Sequence, residues 1–192
     1  MTRKKMITRS ILASLSIGTL VATVAVLGSS SSQAASTVAD GAAARVSTVP
    51  IAVAVPDGQE LSADFFGDGV QVYQCTAGAW VFVEPAATLT GRTTQGRRTY
   101  QTAVHFRGPS WESTQDGSLV TAKAIGTSPV TGSIAQLLLQ STSNRGDGIF
   151  GKVSYIQRLN TRGGAAPAGT CTDGATVGVH YTANYRFFTP AS

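Results

Sequence analysis

Histidine and cysteine are scarce in this 192-residue sequence, which contains two of each. The histidines, His105 and His180, lie in separate segments, and the sequence has no H-x-H or H-E-x-x-H motif. A zinc site would need both histidines and a carboxylate such as Glu112, because protein zinc sites use three or four side-chain ligands. We therefore predict that the protein binds no metal ion and no cofactor.

Charged residues are also few, at 13% of the chain, and the formal net charge is +5. Much of that charge comes from four N-terminal cations, Arg3, Lys4, Lys5 and Arg9. Without them, 11 Lys and Arg face 10 Asp and Glu, which leaves a formal net charge of +1. A nucleic-acid partner would need a basic patch in the folded part of the chain, so we predict none.

The N-terminal residues follow the order of a secretory signal. Basic residues precede an apolar run from Ile11 to Leu27, and the small residues Ala34 and Ala35 follow it. The run is short for a membrane anchor and is interrupted by polar residues and glycine. We predict a secreted, extracellular protein with no membrane span after cleavage, composed of a signal peptide (1–35), a mobile arm (36–49) and a β-sandwich domain (50–192).

The two cysteines, Cys75 and Cys171, are far apart in the sequence. A redox motif would place its cysteines close together, whereas a lone pair in an exported protein most often forms a structural bridge. We predict one disulfide between them.

Alternation of apolar and polar residues indicates strands. In TVGVHYTANYRFF (176–188), Tyr181 and Tyr185 share one face, whereas His180 and Arg186 share the other. This period of two is typical of a half-buried antiparallel strand. GVQVYQC and AWVFVEP, separated by TAG, predict a hairpin. SIAQLLLQS alone is compatible with a short helix.

Glycine follows six of the seven aspartates, and Asp-Gly is a strong turn signal. These aspartates are Asp40, Asp57, Asp68, Asp116, Asp147 and Asp173. Short strands joined by such turns, with no long helical pattern, predict an all-β fold. We expect a single-domain antiparallel β-sandwich or barrel with one disulfide.

The segment GDGIFGKV (146–153) matches the G-x-G-x-x-G pattern of nucleotide-binding loops. For a dinucleotide, that pattern needs a preceding strand and a following helix, whose N-terminus holds the phosphates. Here the residues that follow favour a strand, so we interpret the glycines as turn residues.

The stretch HFRGPSWESTQDGS (105–118) gathers the residue types of an active site. We predict a structural corner, in which Trp111 covers the core. Trp111, His105 and Glu112 are also candidates for the rim of a ligand site. We expect His105→Ala to leave the fold nearly unchanged. His105 and Glu112 are the candidate catalytic residues of the alternative, a small secreted hydrolase or metal-assisted enzyme.

Five segments together resemble a secreted family of bacteria and fungi described as domain of unknown function 3455. They are VQVYQC (70–75), HFRGPSWE with DGS (105–118), LLL (137–139), VSYIQRLNTRGGAAP with Cys171 (153–171) and YTANYRFF (181–188). In place of the expected proline and aromatic residue before the three leucines, this chain has Ala135-Gln136. The resemblance implies a secreted, mostly β domain with a cysteine pair, and it supplies no catalytic residue.

From these observations we predict a non-catalytic extracellular or cell-envelope module that binds a ligand or partner. The tryptophans and tyrosines are compatible with a platform for a sugar or for another flat apolar ligand, because amphipathic aromatic side chains are efficient contact residues. A glycan or another component of the cell envelope is the partner that we expect.

Overall fold

The computed structural model describes residues 49–192, in which eight antiparallel strands form one closed barrel. Each strand pairs with the next, and the last strand closes the barrel on the first. The strands are β1 (Gln59–Thr76), β2 (Ala79–Thr93), β3 (Tyr100–Phe106), β4 (Ser110–Ser113), β5 (Leu119–Ser128), β6 (Gln136–Arg145), β7 (Tyr155–Gly163) and β8 (Thr176–Pro190). The all-β prediction is confirmed, and of the two predicted architectures, sandwich and barrel, the chain forms the barrel.

Two segments of the prediction fall outside the described residues: the signal peptide and the arm up to residue 48. The predicted turn at Asp40 lies there too. Within residues 49–192, no helix has the length and apolar character that a membrane span requires.

Strand β8 has the orientation that its alternation predicts. Tyr181, Tyr185 and Phe187 are fully buried inside the barrel, whereas His180 faces outward with a side chain that is 70% exposed. The predicted hairpin is also present, since β1 and β2 pair down to Thr76 and Ala79 around a tight turn. The disulfide between Cys75 and Cys171 is confirmed, and it attaches the β7–β8 loop to the end of β1.

From Gln136 onward the segment SIAQLLLQS belongs to strand β6, and it does not form the short helix that its sequence allows. Leu139 is buried inside the barrel, and Leu138 is buried on the outside against Val53 and Leu159. Val53 belongs to a single 3-10 turn (Ile51–Val53). The backbone carbonyl of Val53 accepts a hydrogen bond from the side-chain amide of Gln157 at 2.6 Å. Because this N-terminal segment covers the outer face of β6, both faces of the strand are apolar, and the alternation is lost.

The predicted turn at Asp68 is wrong, whereas the Asp-Gly pairs at 57, 116, 147 and 173 lie in turns or bends. Asp68-Gly69 lies in the middle of β1, with Thr88 and Thr182 opposite Asp68 on the neighbouring strands. Gly69 is required for a different reason. A Cβ atom there would collide with the backbone of Ala86 and Ala87 on β2, so glycine permits close approach of two strands.

Aromatic side chains fill one end of the barrel. The ring centroid of Phe187 lies 4.6 Å from that of Phe150 and 5.6 Å from that of Phe65. Phe150 comes from the loop between β6 and β7 and is fully buried. The segment GDGIFGKV therefore folds as a loop that inserts an aromatic side chain into the barrel, in agreement with the interpretation of its glycines as turn residues.

Hydrogen bonds attach that loop to the corner at residues 114–118. The Asp116 carboxylate accepts bonds from the backbone amides of Ser118 (2.9 Å) and Ile149 (3.0 Å). The Ser118 hydroxyl accepts one from the amide of Phe150 at 3.0 Å. Burial raises the pKa of Asp116, but the hydrogen bonds from Ser118, Ile149 and Ser113 outweigh that effect and lower it. Asp116 and Ser118 thus hold the β6–β7 loop in place.

Candidate functional site

The other end of the barrel is open and contains a cavity of about 570 Å³. Most of its lining is apolar, and its volume falls within the range of about 300–1,000 Å³ that is usual for small-molecule sites. The apolar lining consists of Phe82, Val83, Pro85, Pro109, Trp111, Ala124, Ile134, Ala135, Leu137 and Leu139. The cavity therefore offers a small molecule a largely apolar surface inside the barrel.

His105 and Trp111 lie at the boundary between the cavity and the filled end. Their rings are stacked, with centroids 4.4 Å apart, and Tyr185 packs edge-on against both. The Nδ1 atom of His105 donates a hydrogen bond to the backbone carbonyl of Ser110 at 2.8 Å. The two side chains are 3% and 1% exposed. Because His105 is a packed core residue, its replacement by alanine is expected to destabilise the fold, contrary to the expectation from the sequence.

The environment of His105 keeps its imidazole neutral. The pKa is lowered to about 3, mainly by burial and also by the charge of Arg158, while the hydrogen bond to Ser110 opposes the shift. A general base near neutral pH needs a higher pKa and a partner within hydrogen-bond reach. Since His105 is hydrogen-bonded to a backbone carbonyl, the geometry gives this residue a structural role.

Glu112 lies on the opposite face of the barrel wall. It follows Trp111 in β4, and successive side chains of a strand point to opposite faces. Its carboxylate pairs with Arg145 on the outer surface at 2.8 Å. His180 is also outside, with its Nε2 atom 2.9 Å from Asp68. The structure therefore brings neither Glu112 nor His180 to His105. Within residues 49–192, no three His, Cys, Asp or Glu side chains are grouped to hold a metal ion.

Three tyrosines place hydroxyl groups at or near the cavity. Tyr73 donates to the carbonyl of Gly164 at 2.7 Å, and the hydroxyls of Tyr181 and Tyr185 are bonded to each other at 3.0 Å. Burial raises the pKa of all three, and the charge of Arg158 partly opposes that effect. These hydroxyls are therefore neutral and available only for hydrogen bonding near neutral pH.

Arg158 contributes a cation to the cavity lining. It lies opposite Leu137 on β6 and Tyr185 on β8. Its Nε and Nη2 atoms donate to the carbonyl of Ala135 at 3.1 and 2.9 Å, which fixes the side chain against the β5–β6 loop. Arg158 thus places an immobilised positive charge in a mainly apolar lining.

Two buried donors that line the cavity have no hydrogen-bond partner in the described part of the chain. They are the side-chain amide nitrogen of Gln71 and the indole nitrogen of Trp111. Gln71 is 3% exposed. Buried polar groups are nearly always paired, and an unpaired donor costs about 1–3 kcal/mol.

The sequence revealed some of these residues and not others. Of the three candidate rim residues, Trp111 and His105 line the cavity, and Glu112 does not. Gln71 and Arg158 were missed, although alternation contains a signal for Arg158. It occupies the same face of its strand as the buried Ile156. A charged residue at an inward position is a sign of a site.

The fold and the cavity together define a closed antiparallel barrel with an internal pocket of ligand size. Residues 56–189 match the model of a family described as "Protein of unknown function (DUF3455)", and the chain belongs to that family. No curated protein matches the chain. No solved structure matches it. Each of the five segments that resemble the family contributes at least one residue to the cavity lining.

Proposed function

We propose that this protein is a non-catalytic module that binds a small, mainly apolar molecule in the open end of the barrel. The observation that carries this proposal is the cavity itself: it has a ligand-sized volume, an apolar lining and two unpaired buried donors. Ligand sites of this kind combine a large apolar surface with a few polar groups that fix orientation. The mouth of a β-barrel is a frequent location for them.

We propose that the protein acts outside the cell. The N-terminal order of basic, apolar and small residues supports export, and a disulfide is stable in an oxidising compartment. The apolar lining favours a lipid-like or aromatic component of the cell envelope over a glycan, because sugars need many hydrogen-bonding side chains.

The alternative function, a hydrolase or metal-assisted enzyme, receives less support. It requires His105 and Glu112 to act together, and they lie on opposite faces of the barrel wall. Among the described residues that line the cavity, there is no Ser, Thr, Cys, Asp, Glu or Lys. The usual nucleophiles and carboxylate bases are therefore absent from that lining.

The proposal can be tested with N-phenyl-1-naphthylamine, a neutral dye whose fluorescence rises in apolar surroundings. We expect saturable binding with one site per protein. Ala124→Trp should weaken binding by at least about tenfold, because Ala124 lines the cavity and an indole there would occupy its volume.

The matched control is Ala86→Trp, since Ala86 is exposed on the outer face of the barrel and does not line this cavity. That variant should bind the dye with the affinity of the wild-type protein. Equal affinity of the Ala124→Trp variant, or no saturable binding by the wild-type protein, would contradict the proposal.

A further inference from the structure

The cation in the cavity, Arg158, is only partly satisfied by the protein. A guanidinium group has five N–H donors, and two of them are used by the carbonyl of Ala135. Arg158 also interacts by a side-chain hydrogen bond with Tyr185, and its other N–H donors remain for further acceptors. The contact with Ala135 also immobilises the side chain, so that the entropy cost of ordering it is already met in the folded protein.

No acidic side chain neutralises this charge in residues 49–192. The cavity lining described there contains two arginines and no aspartate or glutamate. The other arginine, Arg107, pairs with Glu84 at 3.1 Å, whereas Arg158 is within salt-bridge distance of no carboxylate among the described residues. Arg158 therefore differs from Arg107 in having no counter-charge.

The groups around Arg158 offer dipoles but no negative charge. Burial raises the pKa of Tyr73, Tyr181 and Tyr185 above the usual value, so these side chains carry no charge near neutral pH. A cation in apolar surroundings is costly unless an anion or several hydrogen bonds compensate it. A ligand with anionic oxygens would provide that compensation.

The structure assigns to the cavity an amphipathic anion, a carboxylate attached to an apolar body, with the carboxylate bound by Arg158. This inference rests on the proposed function and specifies its ligand class. The planar guanidinium matches the geometry of a carboxylate and makes strong charge-assisted hydrogen bonds with it. The unpaired amide of Gln71 is a further donor in the same lining. Trp111, Leu137 and Phe82 provide apolar surface for the rest of the molecule.

Decanoate and decan-1-ol test this assignment, because they share a chain and differ in the charge of the head group. Each is titrated against the complex of the protein with N-phenyl-1-naphthylamine near neutral pH. We expect decanoate to displace the dye about tenfold or more tightly than decanol, since charge-assisted hydrogen bonds are about twice as strong as neutral ones.

Variants of the two arginines in the cavity lining show which of them causes the preference for decanoate over decanol. In Arg158→Gln, the ratio of the decanoate affinity to the decanol affinity should fall to about threefold or less. Arg158→Lys should keep much of the preference, because the charge remains. Arg107→Gln is the matched control and should keep all of it, since Arg107 is already paired with Glu84.

The outcomes separate this inference from the proposed function. If the dye binds and decanoate is no tighter than decanol, the assignment of an anionic ligand is overturned, while the proposed binding site stands. If neither the dye nor either decyl compound binds, the proposed function fails. A preference for decanoate that persists in Arg158→Gln, or that is lost in Arg107→Gln, would overturn the role of Arg158.

Discussion

At the scale of single residues, His105 shows how a residue type associated with catalysis can serve the core. It lies inside the barrel, stacked on Trp111 and bonded to the carbonyl of Ser110. Burial disfavours the charged imidazolium, and it lowers the pKa to about 3. Below the pH at which a free histidine titrates, the unfolded chain therefore binds a proton that the folded protein does not.

This difference predicts a pH dependence of stability. The pKa of His105 in the folded protein is depressed, so the contribution of its neutral form is fully present above the unfolded pKa, about 6.5. The contribution is lost as the pH falls from about 6.5 toward 3. We expect the free energy of unfolding, measured with urea at a series of pH values, to fall across this window.

The matched variant is His105→Asn, which retains a side-chain donor for the carbonyl of Ser110 and does not titrate. It should be less stable than the wild-type protein near neutral pH, because the stacked ring is lost. The difference in the free energy of unfolding between the wild-type protein and the variant should narrow as the pH falls toward 4. Parallel curves over that range would show that His105 does not titrate as the burial argument requires.

At the scale of elements, sequence alternation predicts a strand well when only one face of it is apolar. Strand β8 has one buried face and one polar face, and its orientation was predicted residue by residue. Strand β6 has Leu139 on the inside and Leu138 beneath the N-terminal segment, so alternation could not identify it. The difference lies in a packing contact from a distant part of the chain, which local sequence does not encode.

The same reasoning explains what was predictable at the candidate site. Trp111 was recognisable as a large residue beside a corner, and it lines the cavity. The cavity itself was not predictable, because it depends on closure of β8 onto β1 and on which end of the barrel Phe150 fills. The turn predicted at Asp68-Gly69 was wrong because a glycine that permits close approach of two strands looks the same in the sequence as a glycine in a turn.

The orientation of β8 makes a prediction for two adjacent residues. Phe187 is fully buried against Phe65, Phe150 and Trp111. Phe187→Ala should lower the free energy of unfolding by about 3–5 kcal/mol, as large-to-small core changes do. Arg186 faces outward near Asp64, and Arg186→Ala should cost about 1 kcal/mol or less. Chemical denaturation measures both values, and similar losses for the two variants would refute the orientation.

At the scale of the whole molecule, closure of the barrel and the disulfide act on the same region. Strand β1 pairs with β8 from Gln59 opposite Pro190 to Gln74 opposite Thr176, which leaves β1 and β8 without a free edge. The bridge from Cys75 lies just beyond the last of these pairs and holds the β7–β8 loop. Hydrogen bonds from Gly78 to Asp173 (2.8 Å) and from Cys171 to Gly78 (3.3 Å) hold the same loop.

Removal of the disulfide should therefore reduce stability without abolishing the fold. The cysteines are 96 residues apart, and constraint of so long a loop in the unfolded chain is worth at most about 4–5 kcal/mol. The ladder between β1 and β8 lies outside the bridge, from Gln59 to Gln74, so we expect the Cys75→Ala/Cys171→Ala double variant to retain the β-sheet circular dichroism of the native protein. Urea unfolding should show that the free energy of unfolding falls by about 2–5 kcal/mol. The reduced wild-type protein should match the double variant, because both lack only the same constraint.

A double variant that is unfolded in buffer would show that the strand ladder needs the bridge. A variant as stable as the oxidised protein would show that the loop constraint contributes nothing.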